Sequence, residues 1–197
     1  MNSICILNSN QNYIPSPQQI IPLCGPSDTA DYDAFIGEIS VAADNIAKAV
    51  HYRCCYMETA IKDFKNDCID LGFLQLNSKD LCKHLTGCTH VILFAATLGS
   101  EVDRIIAQHS VLHPVRAYFI DQIALFAIEN WCDDIERIVC GERSSRSRFS
   151  PGYGDLSIEL QKPLLSVLQA NTKIGLSLTE SYLMIPAKSV TAIIGIE

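Results

Sequence analysis

The sequence lacks several features that identify common classes of protein. None of its apolar runs approaches the roughly 20 residues needed to cross a bilayer, and the N-terminus lacks the basic start and apolar stretch of a secretory signal. It has no glycine-rich phosphate-binding motif and no internal repeat. Basic residues are also few, with 15 Lys and Arg against 22 Asp and Glu and a net charge of −7. We therefore expect a cytoplasmic protein that binds neither membranes nor nucleic acid.

Cysteine is abundant instead, with nine residues. The number is odd and the spacing does not suggest a disulfide framework, so we expect mostly free thiols, many of them in the core. His51, Cys54 and Cys55 raise the alternative of a metal site, but vicinal cysteines rarely bind one metal together, and we predict no metal ligand. A redox role would need a lowered thiol pKa, for which only His51 and Arg53 offer a cause.

Turn residues and apolar periodicity divide the chain into an irregular N-terminal arm, residues 1–35, and a single domain, residues 36–197. Ile4, Ile6 and Leu7 would form one short strand within the arm. In the domain we expect helices near 39–53, 57–68, 78–85, 100–109, 114–139 and 163–170, and strands near 89–96, 176–184 and 190–196. This mixture indicates an α+β or mixed α/β fold.

The segment from Arg148 to Ile196 is the most informative part of the chain. It carries, in order, Arg148, Gly152-Tyr153, Leu178-Thr179-Glu180-Ser181, Met184, Pro186 and Ser189-Val190. These landmarks resemble those of the C-terminal activation domain of cobalamin-dependent methionine synthase, firmly over 148–190 and more weakly over 97–139. The resemblance implies an α+β fold with a twisted, largely antiparallel sheet and surrounding helices.

The resemblance also implies a ligand site for S-adenosylmethionine. In the family, the residue matching Arg148 helps to bind this ligand, whose carboxylate suits the planar fork of a guanidinium. Ser150 and Gly152 would place backbone groups beside the ligand, and Tyr153 would supply a ring and a hydroxyl. Glu129 falls opposite a family glutamate near the activation site, where its charge would attract the sulfonium or the ligand amine. No residue is assigned a catalytic role.

Other residues of the matched region admit a structural interpretation or depart from the family. Glu180 falls on the apolar face of an expected strand, where it would need a partner such as Arg148 or Lys188. On the last strand, where the family carries aromatic residues that contact S-adenosylmethionine, this chain has Ile193 and Ile194. The ligand pocket is therefore at least partly remade.

Two functions remain open. In the first, the chain is a stand-alone homologue of the activation domain that assists, in trans, the reductive reactivation of a cobalamin-dependent methyltransferase, with S-adenosylmethionine as methyl donor. Cobalamin would then be bound only by the partner, and the chain would be an accessory to methionine biosynthesis, not a complete enzyme. In the second, it is a non-catalytic module that docks a corrinoid protein, or binds another small ligand, and has lost S-adenosylmethionine binding.

Overall fold

The computed structural model describes residues 3–24, 32–65 and 67–197. Its elements, in chain order, are β1 (Cys5–Ser9), α1 (Pro17–Cys24), α2 (Tyr32–Ala49), β2 (Tyr52–Ala60), β3 (Asp63–Lys65), β4 (Cys68–Asp70), β5 (Gln75–Asn77), α3 (Lys79–His84), β6 (His90–Thr97), α4 (Ser100–Leu112), α5 (Pro114–Cys140), α6 (Gln161–Val167), α7 (Ala170–Ile174), β7 (Ser177–Leu178), β8 (Met184–Ile185) and β9 (Ser189–Ile196). None of these helices is both long and apolar enough to span a membrane.

A four-stranded sheet with the order β1-β2-β6-β9 forms the centre of the fold, and every neighbouring pair in it is antiparallel. The continuous apolar run of β6 is explained by this position, because both faces of β6 are covered and nearly all its residues are buried. Phe94, for example, lies opposite Tyr56 on β2 and Ala192 on β9.

The sheet separates two hydrophobic clusters. One face, which includes Phe94 and Ile194, packs against α1, α2, α4 and α5. The other face, which includes Leu93 and Ile193, packs against α3, α6, α7 and the small sheet formed by β3, β4 and β5. Successive residues of a strand point to opposite faces of the sheet, so Leu93 and Phe94 contribute to different clusters, as do Ile193 and Ile194. The result is a layer of long helices, a sheet, and a layer of short elements.

The longest helix, α5, has 27 residues and begins with Pro114, whose missing N–H is not needed in the first helical turn. Its buried stripe faces the sheet and includes Ile120, Ala124, Trp131 and Ile135. The opposite, polar face remains free to meet the chain when it returns after Gly141, which ends the helix with a positive φ of 58°.

The expected α+β class is confirmed, together with the helix at 114–139 and the strands at 89–96 and 190–196. The helix expected over 57–68 is wrong, because β2 occupies Tyr52–Ala60 and is followed by β3. The expected strand 176–184 is instead the short hairpin of β7 and β8, with Glu180 exposed in the turn and so in no need of a buried partner. The short strand expected within the segment 1–35 is present as β1, but the segment also contains α1 and the start of α2, while residues 25–31 lie outside the described residues.

Candidate functional site

The chain between α5 and the turn at Ser150 runs beside the outer edge of β9. Phe149 and Ile193 exchange two backbone hydrogen bonds, each 2.9 Å between nitrogen and oxygen, and Arg146 N donates to Gly195 O at 2.9 Å. Phe149 packs into the cluster on the side of the short elements. Since neighbouring residues of an extended chain point in opposite directions, Arg148 is directed to the other side, towards α5.

Arg148 lies among three carboxylates on the polar face of α5. Its Nη1 is 2.7 Å from Asp133 Oδ1 and 3.3 Å from Glu136 Oε2, and its Nη2 is 3.2 Å from Glu129 Oε2. The Arg148 side chain is 20% exposed, against 26% for Glu136, 52% for Glu129 and 68% for Asp133. Three carboxylates around one guanidinium leave this acidic cluster with a formal charge of −2.

Burial and charge act in opposite directions on the two least exposed groups of the acidic cluster. Burial raises the pKa of Glu136, and the charge of Arg148 only partly offsets that effect. Burial acts to lower the pKa of Arg148, but its hydrogen bond to Asp133 and the surrounding negative charges raise that pKa overall. The guanidinium therefore stays charged, whereas Glu136 is held in an environment that disfavours its ionised form.

The acidic cluster forms one wall of a cleft of about 450 Å³, a volume in the range of small-molecule sites. The cleft is lined by Glu129, Asp133, Glu136, Ser147, Arg148, Ser150, Pro151, Tyr153, Gln161, Met184, Ser189, Val190 and Thr191. It lies at the edge of β9, past the point where the pairing with Phe149 stops. Thr191, two residues before Ile193, directs its main-chain groups to this same unpaired edge.

The turn after Ser150 presents Tyr153 at the cleft. Tyr153 N donates to Ser150 O at 3.0 Å, and Gly152 N donates to Leu156 O at 2.8 Å. Gly152 has a φ of 95°, a conformation that side chains disfavour. The Tyr153 ring is 59% exposed and packs edge-on to Phe149, with the ring centroids 6.1 Å apart. Its outer face is therefore available to a ligand.

Asp155 fixes this turn to the N-terminus of α3. Its carboxylate accepts hydrogen bonds from the Ser78 hydroxyl and from the backbone nitrogens of Lys79, at 2.9 Å, and Asp80, at 3.2 Å. The hydrogen bond from the Ser78 hydroxyl lowers the pKa of Asp155 most, burial acts in the other direction, and the N–H donors lower it further. Gly154 has a positive φ of 52°, which side chains rarely adopt, and an added Cβ would lie 2.5 Å from Asp80 Oδ2, so glycine is favoured where the turn meets α3.

Two polar side chains that the sequence did not indicate also line the cleft. Gln161, 5% exposed, and Thr191, 2% exposed, have buried side-chain oxygens without a hydrogen-bond partner among the described residues. A buried polar atom without a partner is costly, so these oxygens are candidates for contact with a ligand. The sequence does contain one indication for Thr191, because Ser189 and Thr191 lie on the same side of an otherwise apolar strand.

The structure brings together most of the residues expected to bind a ligand. Arg148, Glu129, Ser150 and Tyr153 all line the cleft. Gly152 does not line it, and instead shapes the turn from behind, where a Cβ would lie 3.2 Å from Ile158 Cδ1. The contribution of each residue to binding stays a prediction.

The thiols form no comparable site. The eight cysteines whose side chains are described are free, and among the described residues no group of three or more His, Cys, Asp and Glu is placed to hold a metal. Cys54 and Cys55 are buried on opposite faces of β2. Burial raises the pKa of Cys55 to about 12 and that of Cys54 well above its usual value. Such thiols are unsuited to redox chemistry.

Comparison with known proteins agrees with this geometry. The profile of the family described as "Vitamin B12 dependent methionine synthase, activation domain" matches residues 135–196, which include the Arg148 segment and β9. The solved structure "Crystal Structure of the MetH Reactivation Domain bound to AdoHcy" matches with a TM-score of 0.70 and 16% identity, over 98% of this chain and 78% of that chain. No curated protein matches the sequence. The chain is therefore activation-domain-like: it has the fold of the MetH reactivation domain and, over 135–196, the sequence pattern of the methionine synthase activation domain.

Proposed function

We propose that the cleft at Arg148 binds S-adenosylmethionine and that the protein assists, in trans, the reductive reactivation of a cobalamin-dependent methyltransferase. One observation carries the proposal: Arg148, Glu129, Ser150 and Tyr153 line a single cleft, within and beside the segment that matches the activation-domain profile. The relative with the same fold is bound to AdoHcy, the thioether counterpart of this ligand.

The residues of the cleft fit the chemistry of S-adenosylmethionine. The ligand carries a sulfonium, an ammonium and a carboxylate, and the negative acidic cluster attracts the first two. The unpartnered oxygens of Gln161 and Thr191 are suited to the ligand's amine or ribose hydroxyls. The exposed ring of Tyr153 offers a surface on which a purine can stack.

The ligand carboxylate must compete for Arg148 with the acids of α5. Asp133 is the most exposed of the three and makes the shortest contact with the guanidinium, at 2.7 Å. When a ligand carboxylate replaces Asp133, the guanidinium keeps a charged partner and the displaced acid returns to water. Binding is then an exchange of one ion pair for another, which favours moderate affinity.

The chain's own contribution is to bind and orient. When bound, S-adenosylmethionine supplies an activated methyl group on its sulfonium. An external electron donor reduces the inactive corrinoid, which the partner methyltransferase holds. Arg148 fixes the carboxylate end of the ligand, the acidic cluster attracts the cationic centre, and the turn at Tyr153 closes one side of the cleft.

A second function, corrinoid-protein docking without S-adenosylmethionine, is supported by a different observation. Ile193 and Ile194 stand where the family carries ligand-contacting aromatics, and both are fully buried, on opposite faces of β9. Neither reaches the cleft, so the contacts that the family makes there are missing.

Calorimetric titration tests the binding. We expect saturable binding of S-adenosylmethionine, about fivefold tighter than that of AdoHcy, because a unit charge near the partly exposed acidic cluster gains on the order of 1 kcal/mol. Arg148→Met should weaken binding at least about tenfold, through loss of a charge-assisted hydrogen bond. The matched control is Arg104→Met, which removes an arginine paired with Glu101 on α4, away from the cleft. Absence of binding would refute this half of the proposal.

A reconstituted reaction tests the role in trans. An oxidised cobalamin-dependent methyltransferase is mixed with a reductant, methyl-labelled S-adenosylmethionine and this protein, and the label on the corrinoid is counted. We expect labelling that depends on added protein and is lost with Arg148→Met. Labelling that is equal without the protein would refute the role, whereas stable capture of the methyltransferase without ligand binding would support docking alone.

A further inference from the structure

A second cleft lies at the opposite edge of the sheet, where the chain leaving β1 passes the start of β2. Its volume is about 700 Å³. It is lined by Asn8, Ser9, Asn10, Gln11, Asn12, Ile14, Ala47, Val50, His51, Tyr52 and Arg53. These residues include four side-chain amides, one imidazole and one guanidinium, but no carboxylate. The protein has a net charge of −7, so a cleft lined by no Asp or Glu differs in charge from the chain as a whole.

Arg53 differs from every other arginine of the chain. The chain has seven arginines, and six of them are ion-paired with Asp or Glu: Arg104, Arg116, Arg137, Arg143, Arg146 and Arg148. The guanidinium of Arg53 has neither a hydrogen bond nor an ion pair within the part of the chain that the structure describes, and its Nε is buried. A buried donor left unpaired costs about 1–3 kcal/mol, which a ligand with suitable acceptors would recover.

Two glycine bends flank the Arg53 guanidinium. A Cβ on Gly99 would lie 3.6 Å from Nη2, and a Cβ on Gly175 would lie 3.9 Å from Nη1. Both glycines have a positive φ, of 88° and 73°, so the bends depend on glycine and place no side chain against the guanidinium. The guanidinium therefore lies beside two glycine bends, and within the described part of the chain its hydrogen-bonding capacity is unused.

We propose that this second cleft is a binding site for a small oxyanion, a carboxylate or a phosphate, held by Arg53. The planar fork of a guanidinium matches both groups through two parallel hydrogen bonds. The side-chain amides of Asn8, Asn10 and Gln11 add neutral donors, and they bring no negative charge that would repel the ligand. This site is separate from the cleft at Arg148, where the guanidinium is already paired with three carboxylates.

Nuclear magnetic resonance titration of the whole protein tests this site. Inorganic phosphate and succinate are added separately at constant ionic strength, with chloride as the reference anion. We expect saturable shifts of backbone amides at Asn10, Gln11 and His51 with at least one of the two, and the arm that saturates identifies the class of oxyanion. Shifts that stay linear with both anions, or that appear only around Arg148, would overturn the proposal.

Substitutions separate binding from general charge effects. Arg53→Met should lower the affinity at least about tenfold, and Arg53→Lys should retain part of it because the charge remains while the fork is lost. The control Arg104→Met lowers the net charge equally but alters an exposed pair on α4, and should leave the affinity unchanged. Circular dichroism confirms folding of each variant. Equal loss of affinity in Arg53→Met and Arg104→Met would overturn the assignment, and the wild-type shifts decide the matter if Arg53→Met unfolds.

Discussion

Replacing Arg148 by methionine is the most informative perturbation of the cleft. The guanidinium touches Glu129, Asp133 and Glu136, which lie on one face of α5 at successive turns. Methionine keeps much of the apolar stem but removes the only positive charge of the acidic cluster. The three carboxylates then repel one another along the helix, where like charges at this spacing are unfavourable.

The magnitude follows from the exposure of the partners. Hydrogen bonds between charged groups contribute about 1.5–3 kcal/mol when well shielded, but exposed pairs contribute only about 0–1 kcal/mol. Glu129 and Asp133 are 52% and 68% exposed, and only Glu136, at 26%, is shielded. We therefore expect the free energy of unfolding at pH 7 to fall by about 1–2 kcal/mol in total.

Urea denaturation followed by circular dichroism measures this loss. Arg104→Met, which breaks an exposed pair, should cost no more than about 0.5 kcal/mol. An Arg148→Met protein with the same unfolding free energy as the wild type, and the same affinity for S-adenosylmethionine, would refute the reasoning. It would show that the guanidinium neither stabilises the acidic cluster nor contacts the ligand.

Three further predictions follow from the same structure. Glu136→Gln should raise the thermal midpoint at pH 7, because burial raises the pKa of Glu136 and so penalises its ionised form; the gain should vanish below about pH 4.5, where the wild-type group is protonated. Gly154→Ala should lower the free energy of unfolding by about 1–2 kcal/mol, measured with urea, since φ is 52° and Asp80 blocks the added carbon. Mass spectrometry after iodoacetamide treatment should find Cys5, which is exposed, modified before Cys132, which is buried with a pKa of about 12.

The elements that sequence predicted best are those whose signals are long and local. The helix α5 shows more than seven turns of consistent apolar spacing after Pro114, and β6 is an uninterrupted apolar run of strand length. Each of these patterns is compatible with only one type of secondary structure. Their positions were therefore predicted to within a residue or two.

The strand β2 was missed because its signal is ambiguous. Met57, Ile61, Phe64 and Cys68 recur at helical spacing, yet the chain leaves the strand at Ala60 and these residues fall in three different strands or their connections. This segment forms a strand because it pairs with β1 on one side and β6 on the other. Such long-range pairing cannot be recognised from a short stretch of sequence.

The residues of the cleft were only partly identified from the sequence, because their contacts also depend on long-range packing. The resemblance named Arg148 and Glu129 as candidates for binding a ligand. Their mutual contact was not predictable, because it depends on how the chain turns back after Gly141. Gln161 and Thr191 were missed because an unpartnered oxygen is defined by its surroundings, not by its residue type.

The two isoleucines of β9 change the cleft less than their position suggests. The direction of Arg148 is set by main-chain hydrogen bonds between Phe149 and Ile193, and any residue except proline can make those bonds at position 193. The side chains of Ile193 and Ile194 enter the two cores, whereas the cleft lies at the unpaired edge beside Thr191. Isoleucine at these two positions is therefore compatible with the observed direction of the Arg148 guanidinium. Under the proposed function, we expect binding to depend on Arg148 and the acidic cluster, and not on ring stacking at β9.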